Sequence, residues 1–436
     1  MGVVDTIFAP ASGFGRAAVA VVRISGPGAA AALEALTRQP PPPPRRLSLR
    51  TLVAPGSGEI LDRALVAWMP APGTFTGEDS VELQLHGGPA VRAAVLRALA
   101  HLPGLAPAEP GAFTRRAFLN GRMDLTEVEG LADLIDAETE AQRRQAMRQL
   151  DGALSRLVED WRATLLDVLA MTEAALDFSD EGDVDAETLT TAGLAAATRV
   201  RDGILSALAN GRRGERLREG LMVVLAGAPN AGKSTLLNAL ARRDAAIVSA
   251  IPGTTRDAIE VRCDLGGLPV MLVDTAGLRE SVDAIEVEGM ARSRRRIADA
   301  DLVLWLVPPE GSGETPPAGA LVVRTKADLS SPSPGDGLAI SALTGQGLDA
   351  LLDRIEVSAQ AALGQGDAVV TRERQRLALE SCAEHLDRAI AGAASLPAEL
   401  VAEDLRLAVR ALGEVAGRVG VEEMLDRLFA SFCIGK

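Results

Sequence analysis

Gly227-Ala228-Pro229-Asn230-Ala231-Gly232-Lys233-Ser234 has the spacing G-x-x-x-x-G-K-S. Glycines at these places let backbone amides approach phosphate oxygens, and a following helix N-terminus favours negative charge there. Lys233 is placed to reach β- and γ-phosphates, and Ser234 to offer its hydroxyl to Mg²⁺. The context fits the motif: Leu221-Met222-Val223-Val224-Leu225-Ala226 reads as a buried strand before it, and Thr235-Leu236-Leu237-Asn238-Ala239-Leu240 as a helix after it.

Other short runs complete a nucleoside triphosphate site. Gly253-Thr254-Thr255-Arg256-Asp257 supplies a switch-like loop in which Thr255 can be the second protein ligand of Mg²⁺. A hairpin turning at Gly266-Gly267 ends in Asp274-Thr275-Ala276-Gly277, where Asp274 can hold a metal-bound water and the Gly277 amide can sense a γ-phosphate. Strands at 320–324 and 338–340 lead to Thr325-Lys326-Ala327-Asp328 and to Ser341-Ala342-Leu343. A carboxylate such as Asp328 accepts from the two donors on the guanine edge, N1 and N2, that adenine lacks. The set predicts a GTPase. Thr325 offers one hydroxyl where a carboxamide is usual, so lower guanine affinity is expected. Leu278 follows Gly277, where Ras-type enzymes carry a water-positioning Gln, so another group must orient the water.

The elements that position these residues fall into blocks. Residues 5–120 mix short β-rich runs, as at 19–24 and 64–68, with a helix at 89–101; Pro40 to Pro44 form an extended connector. From Asp124 the pattern is helical, with Leu125, Val128, Leu131, Leu134 and Ile135 on one face. Strands alternate with helices over 221–355. Helical periodicity returns over 371–432, with Leu377, Leu379, Ala383, Leu386 and Ile390 apolar. The expected boundaries are 1–119, 120–216, 217–355 and 356–436, the α/β segment being inserted between two halves of a helical domain.

Of 436 residues, 47% are apolar and 24% charged, which suits a soluble chain of two or three domains. The net charge of −14 opposes nucleic-acid coating by bulk charge, and the four blocks carry +3, −9, −4 and −4. Cys263, Cys382 and Cys433 are too scattered for a disulfide framework or a zinc cluster. No 18-residue apolar run is present and Met1–Pro10 carries Asp5 and no basic residue, so neither a membrane span nor a secretory signal is expected; a cytoplasmic location is the expectation. Tyr is absent and Trp with Phe total 11, which argues against aromatic RNA capture. Of the 45 basic residues, Lys accounts for three: Lys233, Lys326 and Lys436. Codon bias towards Arg accounts for the rest, but the surviving lysines mark places where a planar fork fails. His385 reads as a helix-surface residue, and none of the three histidines has metal-ligand spacing.

The strand–loop core resembles TRAFAC-class GTPases, and further stretches resemble the MnmE (TrmE) family within it. Those stretches include Arg23-Ile24-Ser25-Gly26, Phe75-Thr76-Gly77-Glu78-Asp79, His86-Gly87-Gly88-Pro89, Arg116-Ala117-Phe118-Leu119-Asn120 and the terminal Phe432-Cys433-Ile434-Gly435-Lys436. The resemblance implies a multidomain chain: an α+β N-terminal tetrahydrofolate-binding-like domain, a central and C-terminal helical domain, and an inserted Ras-like α/β P-loop GTPase domain. It implies a homodimer paired through the N-terminal domain. With the flavoprotein MnmG it would form a heterotetramer that installs a carboxymethylaminomethyl or aminomethyl group on C5 of the wobble uridine of certain tRNAs.

Carried over by position, the folate-binding residues are Arg23, Glu82, Arg122 and Lys436, for 5-formyl- or methylene-tetrahydrofolate as one-carbon donor; the family commonly has Lys where Arg122 stands. Hydrolysis in the family is activated by K⁺, whose ligands here would be Asn230, Ser249, Ile251 and Thr254. Glu286 matches the family's general acid/base, with Lys233 and Thr255 completing the catalytic set. The nucleotide contacts would be Asn230, Ala231, Gly232, Lys233, Ser234, Thr235, Ser249, Thr254, Thr255, Asp274, Thr275, Ala276, Gly277, Thr325, Lys326, Asp328, Ser341 and Ala342. Taken without the family, Asn230 is equally a turn former and Glu286 a solvated residue of an acidic stretch. A ribosome-assembly GTPase acting as an RNA-binding checkpoint is the alternative; it expects a basic RNA-binding appendage, which the block charges do not supply. A regulatory switch that holds GTP for an effector is a third reading.

Overall fold

The computed structural model of the chain describes residues 6–13, 15–177, 186–243, 245–247, 260–274, 296–311, 315–329, 337–363, 368–419 and 422–435, with side chains at 177, 186–190, 422 and 423 excepted. Two compact units result, Met1–Ala132 with Ala416–Lys436, and Asp133–Val415.

The first unit is built on a six-stranded sheet of β1 (Thr6–Pro10), β2 (Val19–Ser25), β3 (Ser48–Val53), β4 (Ile60–Met69), β5 (Ser80–His86) and β6 (Leu105–Pro107), ordered β3-β4-β5-β2-β1-β6. Strand alternation sorts the side chains onto two faces. Val22, Ile24, Val66, Leu83 and Leu85 point to one face and are buried against α1 (Ala29–Thr37) and α2 (Pro89–Ala100) through Leu33, Leu36, Val95 and Leu99. On the other face, Ile7 and Ala9 pack against Phe113 of α3 (Ala112–Leu119). Pro89 at the first turn of α2 suits a position whose amide needs no helical partner. The end of the chain returns to this unit: α4 (Leu125–Asp136) contributes Leu125 and Val128 to a cluster with Leu425, Phe429 and Phe432, the first two from the last helix (Glu422–Ala430).

The second unit holds a helical layer and a second six-stranded sheet. The helical layer includes α5 (Glu140–Leu150), α6 (Ala153–Asp177), α7 (Ala186–Leu208) and α8 (Gly211–Glu219), joined after the sheet by α11 (Glu373–Gly392) and α12 (Ala398–Val415). Helices α6, α7, α11 and α12 pack on one another as a four-helix bundle, with Leu154, Val158, Leu165, Ile204, Leu379, Leu386 and Leu412 buried. Leu377 departs from the expected apolar face: it is 52% exposed while Leu379, Ala383 and Leu386 are buried. His385 is not a free surface group but pairs with Asp404 at 3.0 Å, both largely covered between α11 and α12.

The second sheet consists of β7 (Leu221–Gly227), β8 (Glu260–Leu265), β9 (Leu268–Asp274), β10 (Leu302–Val307), β11 (Leu321–Arg324) and β12 (Leu338–Ala339), ordered β12-β11-β10-β7-β9-β8. Only β8 runs antiparallel. Its core buries Leu225, Leu236, Leu272, Leu304, Leu306 and Ile340 under α9 (Lys233–Ala241) and α10 (Leu348–Leu363). Strand β7 lies between β10 and β9, so its C-terminal end opens at the point where strand order reverses, the usual place for a ligand in such sheets.

Candidate functional site

The loop leaving β7 takes the conformation its glycines allow. Gly227 has φ 139°, and a Cβ there would stand 2.4 Å from the Leu306 carbonyl oxygen. Gly232, at φ 92°, caps α9 without any side-chain bond, and the N-terminus of that helix favours an anion. Lys233 is buried to 8% exposure, and its ammonium donates to the carbonyls of Gly227 at 2.8 Å and Ala228 at 2.9 Å. A point charge on a flexible stem is thereby stored along the loop it serves.

Ser234 lies one residue into α9 and its hydroxyl donates to the Asp274 carboxylate at 2.6 Å. Asp274 is fully buried at the end of β9, whose pairing with β7 sets Leu225 opposite it. A hydroxyl and a carboxylate in contact offer oxygen donors suited to a hard divalent cation, so the residues fit Mg²⁺. Asn230, at φ 63°, and Thr235 are exposed at the rim, and Ala231 is buried beneath them.

The loops after β11 and β12 meet beside this one. The Ala327 amide donates to the Ile340 carbonyl at 3.0 Å, which ties the Thr325–Asp328 turn to the buried Ser341 and half-buried Ala342. Thr325 is buried, and its hydroxyl donates to the carbonyl of Ala231 at 2.7 Å. Lys326 adopts φ 58° and lies 3.7 Å from the Glu310 carboxylate; Asp328 is exposed. Ser249, Ile251, Thr254, Thr255, Thr275, Ala276, Gly277 and Glu286 lie outside the described residues.

A second polar cluster sits in the first unit. Arg23 on β2 and Glu82 on β5 are register partners, and both Nε and Nη2 of Arg23 donate to one carboxylate oxygen, at 3.1 and 2.9 Å. The guanidinium stands 5.6 Å from the Phe75 ring centroid and 5.8 Å from that of Phe113, within cation–π range. Next to it, Glu78 receives Arg116 at 2.8 Å and Ser25 at 2.9 Å, and Ser25 shares a 2.7 Å bond with Thr76. Arg122 is exposed, its stem passing Gly77, which needs φ 78°. Lys436 lies outside the described residues, but Gly435 before it fits against Pro10, where a Cβ would meet the carbonyl oxygen at 2.0 Å. Phe75, Phe113, Glu78 and Arg116 were not singled out as site residues by sequence reasoning; the Phe75–Asp79 run marks two of them, whereas Phe113 carries no local signal. An exposed aromatic ring beside a carboxylate and guanidinium groups is a donor set that fits a pterin carrying an acidic tail.

Among the described residues no helix is long and apolar enough to cross a membrane. Two family models match the chain, one described as MnmE helical domain over residues 125–433 and one as GTP-binding protein TrmE N-terminus over residues 6–122. The tRNA modification GTPase MnmE of Methylobacterium sp. (strain 4-46) is 80% identical over 437 residues, spanning 99% of this chain and 100% of that protein. The protein of the same name from Methylorubrum populi is 70% identical over 439 residues, spanning 99% and 98%. That of Rhodospirillum rubrum is 53% identical over 462 residues, spanning 99% and 100%.

Proposed function

The chain belongs to the MnmE family of tRNA modification GTPases, and from that premise we propose that it is a K⁺-activated GTP hydrolase acting with MnmG. Its turnover would drive addition of a carboxymethylaminomethyl or aminomethyl group to C5 of the wobble uridine of certain tRNAs. The observation that carries the hydrolase reading is the Ser234–Asp274 contact at the end of β7, with Lys233 stored along the same loop. Ser234 and Thr255 would hold Mg²⁺, which would supply charge neutralisation on the bound triphosphate. Lys233 adds a second positive charge there, and Asp328 reads the guanine edge.

K⁺ is assigned to Asn230, Ser249, Ile251 and Thr254, where it would do the electrostatic work of an arginine finger. Glu286 takes the water-orienting role that Leu278 cannot. The folate derivative is assigned to Arg23, Glu82, Arg122 and Lys436, and the Phe75 ring beside Arg23 supports that assignment. A homodimer is supported by the part of the first sheet's second face that lies away from Phe113 of α3. There Leu49, Leu65, Gln84 and Val21 follow one another across four strands by register, with Leu49 66% and Leu65 39% exposed. The same face belongs to the one block of net positive charge, which would contribute to tRNA contact in a cytoplasmic complex.

GTP turnover in K⁺ against Na⁺, at several protein concentrations, tests the reading. Stimulation by K⁺ that steepens with concentration is the expected result. Equal rates in the two salts would remove the K⁺-dependent dimer mechanism. In K⁺, Glu286→Ala slows hydrolysis and leaves GTP affinity nearly intact; a wild-type rate would remove Glu286 from its role.

A further inference from the structure

The β8–β9 hairpin has one end in the phosphate site and the other on the helical layer. At the first end β9 stops at Asp274, which receives the Ser234 hydroxyl. At the other end the chain turns through Gly266 and Gly267, with φ 60° and 83°, the positive pair a two-residue turn of this twist requires. The seven residues of β9, at roughly 3.3 Å each, separate the two ends by about 20 Å.

The turn lands on the N-terminus of α5. Thr139 and Gln142 cap that helix reciprocally, which satisfies the amides of those two residues. The Ala141 amide, too early in the helix for an internal partner, donates to the Gly267 carbonyl at 3.2 Å. Arg262 on β8 pairs with Glu138 at 3.2 Å just ahead of the cap. The same helix also grips both chain crossings to the sheet. Gln142 donates to the Arg218 carbonyl and Gln145 to that of Gly214, each at 3.0 Å, shortly before β7. Beyond α10, Gln149 donates to the Val369 carbonyl at 2.6 Å and the Thr371 hydroxyl at 3.0 Å.

Beside these contacts lies a cavity of about 340 Å³ lined in part by Asp136, Gln142, Gln145, Arg218, Arg262 and Met271. The tip meets α5 through a hydrogen bond and an ion pair beside this cavity, polar contacts that can rearrange more readily than a close-packed apolar seam. Strand β9 itself is bonded to β7 on one edge and β8 on the other, so the hairpin moves as a unit.

We propose that the β8–β9 hairpin transmits the state of the phosphate site to α5, acting through the Ala141 amide–Gly267 carbonyl bond. The inference rests on the GTPase reading: a metal ion and phosphate held at Ser234 would polarise its hydroxyl and reset the Ser234–Asp274 contact, to which the end of β9 would respond. Hydrogen exchange of the α5 amides in the full chain, with Mg²⁺ and either GDP or a non-hydrolysable GTP analogue, reads the connection. Ala141→Pro removes the donor within the first turn, where proline breaks no internal helix bond, and Ala141→Ser keeps it.

Exchange rates of α5 are expected to differ at least threefold between the two nucleotides in the wild type and in Ala141→Ser. In Ala141→Pro the difference vanishes while nucleotide affinity stays within twofold. Arg262→Gln, altering an exposed contact, reduces the difference and serves if the proline variant lowers stability. A full difference retained in both Ala141→Pro and Arg262→Gln, or none in a wild type that binds GTP, overturns the proposal. A wild type that does not bind GTP overturns the GTPase reading instead.

Discussion

The hydroxyl of Thr325 donates to the carbonyl oxygen of Ala231 at 2.7 Å, joining the loop after β11 to the phosphate loop through a buried contact. A threonine hydroxyl has a single proton, and here it is committed to the backbone of the neighbouring loop. The residue therefore shapes the phosphate loop, while Asp328 on the same turn is exposed.

Replacing Thr325 with Val leaves the Ala231 carbonyl buried without a donor, a cost of about 1–3 kcal/mol. GTP affinity is expected to weaken on the order of tenfold, while Thr325→Ser stays close to wild type. Preference for GTP over ATP holds in both. Titration with a fluorescent nucleotide measures this; equal affinity in the Val variant would show that the contact does not support the site.

Lys233→Arg is expected to abolish GTP turnover, with phosphate release as the readout and circular dichroism unchanged. The ammonium fits between the carbonyls of Gly227 and Ala228 at 8% exposure, a place that admits a compact charge and not a planar fork. Ser234→Ala is expected to lose Mg²⁺-dependent affinity specifically, because the hydroxyl that would ligate the ion beside Asp274 is removed.

Phe75→Ala and Arg23→Ala should weaken binding of a tetrahydrofolate derivative, followed by titration, with GTP turnover unaffected. Gly435→Ala should do the same from a different direction. At φ 98° and 2.0 Å from the Pro10 carbonyl, an added Cβ forces the chain end away from β1. Wild-type folate binding in all three would remove this cluster from folate recognition.

Burial pushes the Cys263 thiol up to about 11 and that of Cys382 up to about 12. Both stay protonated at pH 7.5 and should resist iodoacetamide in the native protein, whereas exposed Cys433 is alkylated. Peptide mass spectrometry before and after denaturation checks the order. The native state holds these two protons more tightly than the unfolded chain, so their contribution to stability is intact below the ordinary thiol value of 9.0 and is lost as pH rises past it. The denaturant midpoint should fall from pH 8 to pH 10.5, and less steeply in Cys382→Ala.

The sequence by itself determined the parts that contiguous residues encode. The phosphate loop between β7 and α9, the Gly266-Gly267 hairpin and the helical blocks were all legible, because backbone conformation and burial period are set by near neighbours. The structure brings Lys233, Ser234 and Asp274, named from their motifs, to one end of the sheet. The tertiary structure alone decided that Thr325 binds Ala231, that Phe113 lies against Arg23, and that Leu377 is exposed on its helix. It alone brought the last helix back to Leu125 and Val128, and the Gly267 carbonyl to Ala141. Thr325 and Ala231 are 94 residues apart, and no local propensity links them. Such contacts exist only once closure of the sheet has fixed which loops are neighbours, and that is a property of the whole chain.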